Sequence, residues 1–151
     1  MPEDILFFDI SSNGYTVCAL DQTGNAWCWG RAYLGNGTDQ NSPLPVAVTM
    51  PDLVSFVSIS SGIEGACALD TTGLAWCWGT YPGNGSTEAT SPVPVLMPPG
   101  RIFTKISTNG FVSCGLDDLG MIHCWGDNYD GNLGNCTNLN STTPVPICEP
   151  Q

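Results

Sequence analysis

Apolar and polar residues in this chain alternate in short runs, and the runs recur. Gly14 to Gly30 reads Gly-Tyr-Thr-Val-Cys-Ala-Leu-Asp-Gln-Thr-Gly-Asn-Ala-Trp-Cys-Trp-Gly, and the pattern returns at Gly65 to Gly79 and at Gly110 to Gly126. Two short apolar runs around an Asp-x-x-Gly turn predict a β-hairpin. A three-residue loop of Gln22, Thr23 and Gly24, with Gly24 in the left-handed conformation, fixes the register. Asp21 then opposes Asn25, Leu20 opposes Ala26, Ala19 opposes Trp27, and Cys18 opposes Cys28.

The repeat extends both ways from the hairpin. Upstream, Phe7-Phe8-Asp9-Ile10-Ser11 matches Phe56-Val57-Ser58-Ile59-Ser60 and Phe103-Thr104-Lys105-Ile106-Ser107, a pattern that suits a strand leading into the hairpin. Downstream, Gly35 to Thr38 matches Gly83 to Ser86 and Gly134 to Thr137, followed by Pro-rich runs at Pro43 to Val46, Pro92 to Val95 and Pro144 to Ile147. Proline removes ladder donors, so these runs predict an edge strand or extended segment. Trp29, Trp78 and Trp125 are equivalent and lie 49 and 47 residues apart, which divides one continuous repeat domain into units 1–49, 50–96 and 97–151. Met1-Pro2 shares the phase of Met50-Pro51 and Met97-Pro98, and Pro150 falls on it again. With no signal peptide visible at Met1, the expectation is a segment of a longer tandem array.

Directly opposed residues in a hairpin have Cα atoms roughly 4.5 to 5.5 Å apart, within disulfide range. Cys18–Cys28, Cys67–Cys77 and Cys114–Cys124 share one spacing. The alternatives are buried free thiols or a metal site. Zinc ligands usually arrive as close Cys-x-x-Cys pairs, and the lone His123 cannot serve three copies, so disulfides are the better reading and no metal is expected. The third unit adds Cys136 and Cys148 beside its longer loop. That fourth bridge should contribute on the order of 2 to 3 kcal/mol by closing a short loop.

Composition narrows the class. Of 151 residues, 42% are hydrophobic and only 11% charged, so the chain is neither a charge-rich disordered tail nor a membrane span. Fourteen acids against Arg31, Arg101 and Lys105 give a net charge of −11, which repels nucleic acid and anionic lipid. Eight cysteines in regular spacing point to an oxidising, extracellular setting.

The pattern Gly-x-x-x-x-Ala-Leu-x-x-x-Gly-x-x-x-x-Trp-Gly, with its glycine-rich loop and Pro-x-x-Val segment, resembles the regulator of chromosome condensation repeat. Asn128-Tyr-Asp-Gly-Asn-Leu-Gly134 is similar to that family's Asn-x-x-Gly-Gln-Leu-Gly loop. The resemblance implies propeller blades of four short antiparallel strands, commonly seven to a ring, an architecture shared by the β-lactamase-inhibitor protein II group. The Cys pair in each hairpin looks like a secreted, disulfide-containing branch. Three blades would make an incomplete ring or part of a larger array. Because the same blades serve an exchange factor, inhibitors, receptor ectodomains and a photoreceptor, fold alone does not name function.

Candidate chemistry is sparse. Asn36, Asn84, Asn135 and Asn140 satisfy the Asn-x-Ser/Thr rule, three of them in repeat register, and are expected to carry N-linked glycans. Trp27, Trp29, Trp76, Trp78 and Trp125 are expected to pack between blades. Asp21, Asp70 and Asp117 should cap their turns, and His123, standing where the other units have Trp27 and Trp76, reads as a packing substitution. No nucleophile, metal cluster or cofactor motif is present, so no enzyme is expected. The first functional reading is a structural glycoprotein of an extracellular fibre, surface appendage or coat, assembling by self-association or with further blades. The alternative is a protein- or carbohydrate-binding propeller module.

Overall fold

A computed structural model of the chain describes residues 4–149, so the repeat phase of Met1, Pro2 and Pro150 lies outside the described residues. The described chain is all-β. Twelve strands run β1 (Phe7–Ser12), β2 (Thr16–Asp21), β3 (Ala26–Gly30), β4 (Ser42–Ala47), β5 (Phe56–Gly62), β6 (Gly65–Asp70), β7 (Ala75–Thr80), β8 (Glu88–Pro94), β9 (Phe103–Thr108), β10 (Val112–Asp117), β11 (Ile122–Gly126) and β12 (Ser141–Pro146). They form three antiparallel four-stranded sheets in sequence order, β1 to β4, β5 to β8 and β9 to β12. Each sheet is one blade.

The central hairpin of each blade has the register its turn dictates. Cys18 faces Cys28, Ala19 faces Trp27 and Leu20 faces Ala26, and Gly24, with φ of 82°, closes the turn through its N–H to the Asp21 carbonyl at 2.8 Å. A left-handed backbone is accessible to glycine without steric cost, which is why the turn carries Gly24, Gly73 and Gly120. Disulfides Cys18–Cys28, Cys67–Cys77 and Cys114–Cys124 cross the hairpins with Cα atoms 4.1 Å apart. Cys136–Cys148 spans 6.0 Å and ties the long third-blade loop to the end of β12.

Prolines 43, 45, 92, 94, 144 and 146 all lie in β4, β8 and β12. These are the last strands of their sheets, with a ladder partner on one side only, so the missing N–H groups leave no neighbour unsatisfied. The first strands lie on the inside of the stack. β5 packs on β1 and β2, and β9 packs on β5 and β6.

Each first strand also carries a bulge at the same place. The register slips between Phe7 and Asp9, between Phe56 and Ser58, and at Phe103 opposite Asp117. One extra residue reverses the alternation of faces. Phe56 and Ile59, three apart, therefore both enter the same buried cluster.

Candidate functional site

The core lies between blades. At the first seam, Cys18, Leu20, Cys28, Leu34 and Val48 of the first blade pack against Phe56, Ile59, Ala66, Ala68 and Trp78 of the second. The second seam repeats this arrangement, with Cys67, Leu69, Cys77 and Val95 against Phe103 and Trp125. Every blade thus has a cystine face that receives the next blade and an aromatic face that enters the previous one. Phe56 stacks on Trp78 with ring centroids 6.3 Å apart, and Phe103 stacks on Trp125 at 6.1 Å.

Polar contacts lock the same seams. The N–H of Phe56 donates to the Gly24 carbonyl at 2.9 Å, and that of Phe103 to the Gly73 carbonyl at 2.8 Å. Ser61 N–H donates to Ser11 Oγ at 2.9 Å, and Thr108 N–H to Ser60 Oγ at 3.0 Å. On the outer side, Gly37 N–H donates to Thr90 O and Gly85 N–H to Thr142 O, both at 3.0 Å.

At the two ends of the stack the same residue types are uncovered. Phe7 is 38% exposed and Ile10 66%, whereas their equivalents Phe56 and Ile59 are 1% and 7% exposed. Trp29 lines an open groove of about 270 Å³ with Phe7, Phe8, Ile10 and Ala19. Across the molecule, Cys114, Leu116 and Ile122 border a second groove of about 280 Å³. The five tryptophans therefore divide. Trp78 and Trp125 are buried between blades, Trp76 packs half-buried at the first seam, and Trp27 and Trp29, both half-buried in the first blade, belong to neither seam, Trp29 standing at that blade's open face.

Trp27 and Trp76 have a polar task as well. Their Nε1 groups donate to Oδ2 of Asp21 at 3.0 Å and of Asp70 at 2.9 Å. Oδ1 of each aspartate caps its turn, accepting from the backbone N–H groups of Thr23 and Asn25 and of Thr72 and Leu74. Burial pushes the Asp21 carboxyl up. The hydrogen bonds from Thr23, Trp27 and the turn backbone outweigh it, and the pKa falls to about 2. Asp70 and Asp117 are lowered by the same balance. In the third blade His123 Nε2 lies 3.2 Å from Asp117 Oδ2, and Arg101 Nε lies at 3.7 Å. His123 thus does more than fill the tryptophan's volume: it occupies the indole N–H's place against the carboxylate.

Three of the sequons share one geometry. Oδ1 of Asn36, Asn84 and Asn135 accepts the N–H of the residue two on, at 3.2, 3.0 and 3.2 Å, and the hydroxyl of that same residue at 2.9, 2.6 and 2.9 Å. Their hydroxyl residues Thr38, Ser86 and Thr137 are exposed. Asn140 differs, since its Nδ2 donates to the Tyr81 hydroxyl at 3.1 Å and its Oδ1 accepts the Asn128 N–H at 2.8 Å.

Sequence reasoning passed over two features. Asn128 is fully buried in the third-blade loop, its Nδ2 donating to Thr137 O at 2.9 Å and Leu139 O at 3.0 Å while Oδ1 accepts Leu133 N–H at 2.9 Å. The other is an open, acidic cleft of about 670 Å³ on the outer rim of the first seam, bordered by Tyr33, Asp39, Gln40, Glu88 and Thr90. Tyr33 donates its hydroxyl to Glu88 at 2.7 Å, and that hydrogen bond raises the phenol's pKa. The repeat signal was present in both cases: Asn128 opens the family-like loop, and Tyr33 matches Tyr81. Among the described residues no cluster of three or more His, Cys, Asp or Glu could hold a metal ion. Nor is any helix among the described residues long and apolar enough to cross a membrane.

No family model matches the chain, and no curated protein matches it in sequence. Solved structures do match in shape. Human WBSCR16 superposes with a TM-score of 0.82 at 20% identity, covering 97% of this chain and 40% of that one. Yeast RCC1 (Prp20), solved bound to Kap60, gives 0.78 at 21% identity, covering 93% and 37%. The CRINKLY WD40 ectodomain of the Arabidopsis thaliana receptor kinase ACR4 gives 0.55 at 25% identity, covering 83% and 39%. The chain spans about two fifths of the length of these proteins, and its three blades have the RCC1-type propeller fold.

Proposed function

We propose that this chain is a non-enzymatic, protein-binding β-propeller module that works outside the cell. The observation that carries the reading is the contrast between inner and outer faces. Phe7, Ile10 and Ile122 are exposed, and Trp29 only half-buried, at positions whose equivalents are buried inside the two seams, and apolar patches of this kind mark protein-binding surfaces. The acidic rim cleft adds a second, polar surface suited to a basic or hydroxyl-rich segment of a partner.

Proteins of the same fold support a binding role. Yeast Prp20 is seen bound to Kap60, and a second structure of it is described together with its binding to Gsp1p and histones. These neighbours favour the binding module over the fibre, appendage or coat that the repeat pattern first suggested. Four disulfides fit an oxidising, secretory route. N-linked glycans on Asn36, Asn84, Asn135 and Asn140 would then decorate the outer rim.

The test is site-specific photo-crosslinking of the oxidised protein in its native secreted setting. A photoreactive residue at Ile10 or at Met121 should form polypeptide adducts that one at Leu44, equally exposed on an edge strand, does not. Equal labelling at all three positions would contradict binding through the open faces.

A further inference from the structure

The two open faces are the two halves of a seam that the chain already builds twice. At each inner seam a loop glycine of the receiving blade lies under the entering tryptophan. A Cβ on Gly35 would come within 2.9 Å of Trp78 Nε1, and one on Gly83 within 2.7 Å of Trp125 Nε1. The third equivalent, Gly134, has only Ile147 near it, at 3.4 Å, and Gly120, whose equivalent Gly24 meets Ser55 at 2.8 Å, has nothing within 4 Å. The receiving surface of the third blade is therefore shaped for a tryptophan-bearing face, and Trp29 presents one.

Charge fits the same partner. At the first seam, Asp9 of the receiving blade reaches the Ile59 N–H at 3.0 Å, beside Ser58. Lys105 is the repeat equivalent of Asp9 in the third blade, and Ile10 is the equivalent of Ile59 in the first. A seam between the two ends would bring Lys105, the chain's only lysine, beside Asp9. That pair offsets part of the repulsion between two chains that each carry −11.

We propose that the occupant of these faces is a second copy of this chain, docked head to tail with the Trp29 face of its first blade on the Gly134 and Ile122 face of the third blade. Two hydrogen bonds complete the seam, from Phe7 N–H to the Gly120 carbonyl and from Ser12 N–H to Ser107 Oγ, each repeating one seen at both inner seams. The contact is heterologous, since different surfaces meet, and the rotation between copies closes it into a discrete ring instead of an open filament. It rests on the reading of the open faces as protein-binding surfaces and names their partner.

The test is the solution mass of the oxidised full chain by analytical ultracentrifugation. Wild type is expected at multiples of 15.9 kDa. Trp29→Ala removes the entering side chain, and Ile122→Asp places a charge on the receiving face; each variant alone should sediment as a monomer that still unfolds cooperatively, at a midpoint that no longer rises with protein concentration. Mixed in equal amounts, they should form dimers containing one of each, because one intact pair of faces remains. Lys105→Glu should weaken assembly at least tenfold. A wild-type monomer up to about 100 µM, single variants that still assemble, or a mixture that stays monomeric would each overturn the proposal. Foreign adducts at Ile10 and Met121 from a monomeric wild type would leave the binding role standing without it.

Discussion

Trp78 stands directly over Gly35: a methyl group added to that glycine would lie 2.9 Å from the indole Nε1 and 3.0 Å from Val48. The seam between blades closes because no Cβ is there. Gly35→Ala should therefore combine backbone strain at φ of 80° with overpacking, costing about 2 to 4 kcal/mol. Gly14→Ala has a similar φ of 91° but open space around it, and should cost only about 1 kcal/mol. Urea unfolding midpoints of the two variants separate strain from packing.

The capped turns make stability depend on pH on the acid side. Asp21 has a folded pKa of about 2 against an ordinary value of 3.8, and Asp70 and Asp117 are shifted the same way. Carboxyls depressed by folding stabilise fully above their unfolded pKa and lose that contribution as pH falls through the folded one. The melting temperature should be level down to about pH 4 and drop steeply towards about pH 2. Asp21→Asn should lower it at neutral pH and flatten the acid limb; an unchanged limb in that variant would remove the turn carboxylate as its cause.

The disulfides should open in order of burial. Cys18, Cys28, Cys67 and Cys77 are almost fully buried, whereas Cys136 is exposed and Cys148 partly so. Limited reduction followed by alkylation and peptide mass mapping should label Cys136 and Cys148 first. Removing that bridge with Cys136→Ser and Cys148→Ser together should cost about 2 to 3 kcal/mol. Early labelling of Cys18 or Cys67 would show that the seams open more readily than their packing implies.

Glycan occupancy should follow the two sequon geometries. In protein from a eukaryotic secretory host, Asn36, Asn84 and Asn135 should be glycosylated, each Asn→Gln change removing one glycan mass. Asn140 should be the least occupied, because its side chain already bonds Tyr81 and Asn128. Glycopeptide mapping that finds Asn140 filled and the other three bare would reverse the assignment.

Much of this architecture was legible in the sequence because a repeat shows its errors by comparison. The Asp-x-x-Gly turn alone set the hairpin register that pairs Cys18 with Cys28, and the prolines marked the edge strands. The bulge at Phe8 was not legible. Phe7-Phe8-Asp9-Ile10 looks like plain alternation, and only the slip in pairing puts Phe7 and Ile10 on one face. Nor could the chain alone separate Trp29 from Trp78, which are identical in local sequence. What distinguishes them is the neighbour: a preceding blade covers one and leaves the other open. His123 packs on Phe103, as a substitute for tryptophan should, but its contact with Asp117, six residues away across the turn, could not be read from its own position.

The open faces make this chain a discrete binding module and not a brick of a fibre. Electron microscopy of the native, non-reduced protein separates the two. Compact particles of propeller dimensions, free or held by a partner, are the predicted result. Long filaments with a three-blade repeat would contradict it and return the chain to the structural reading.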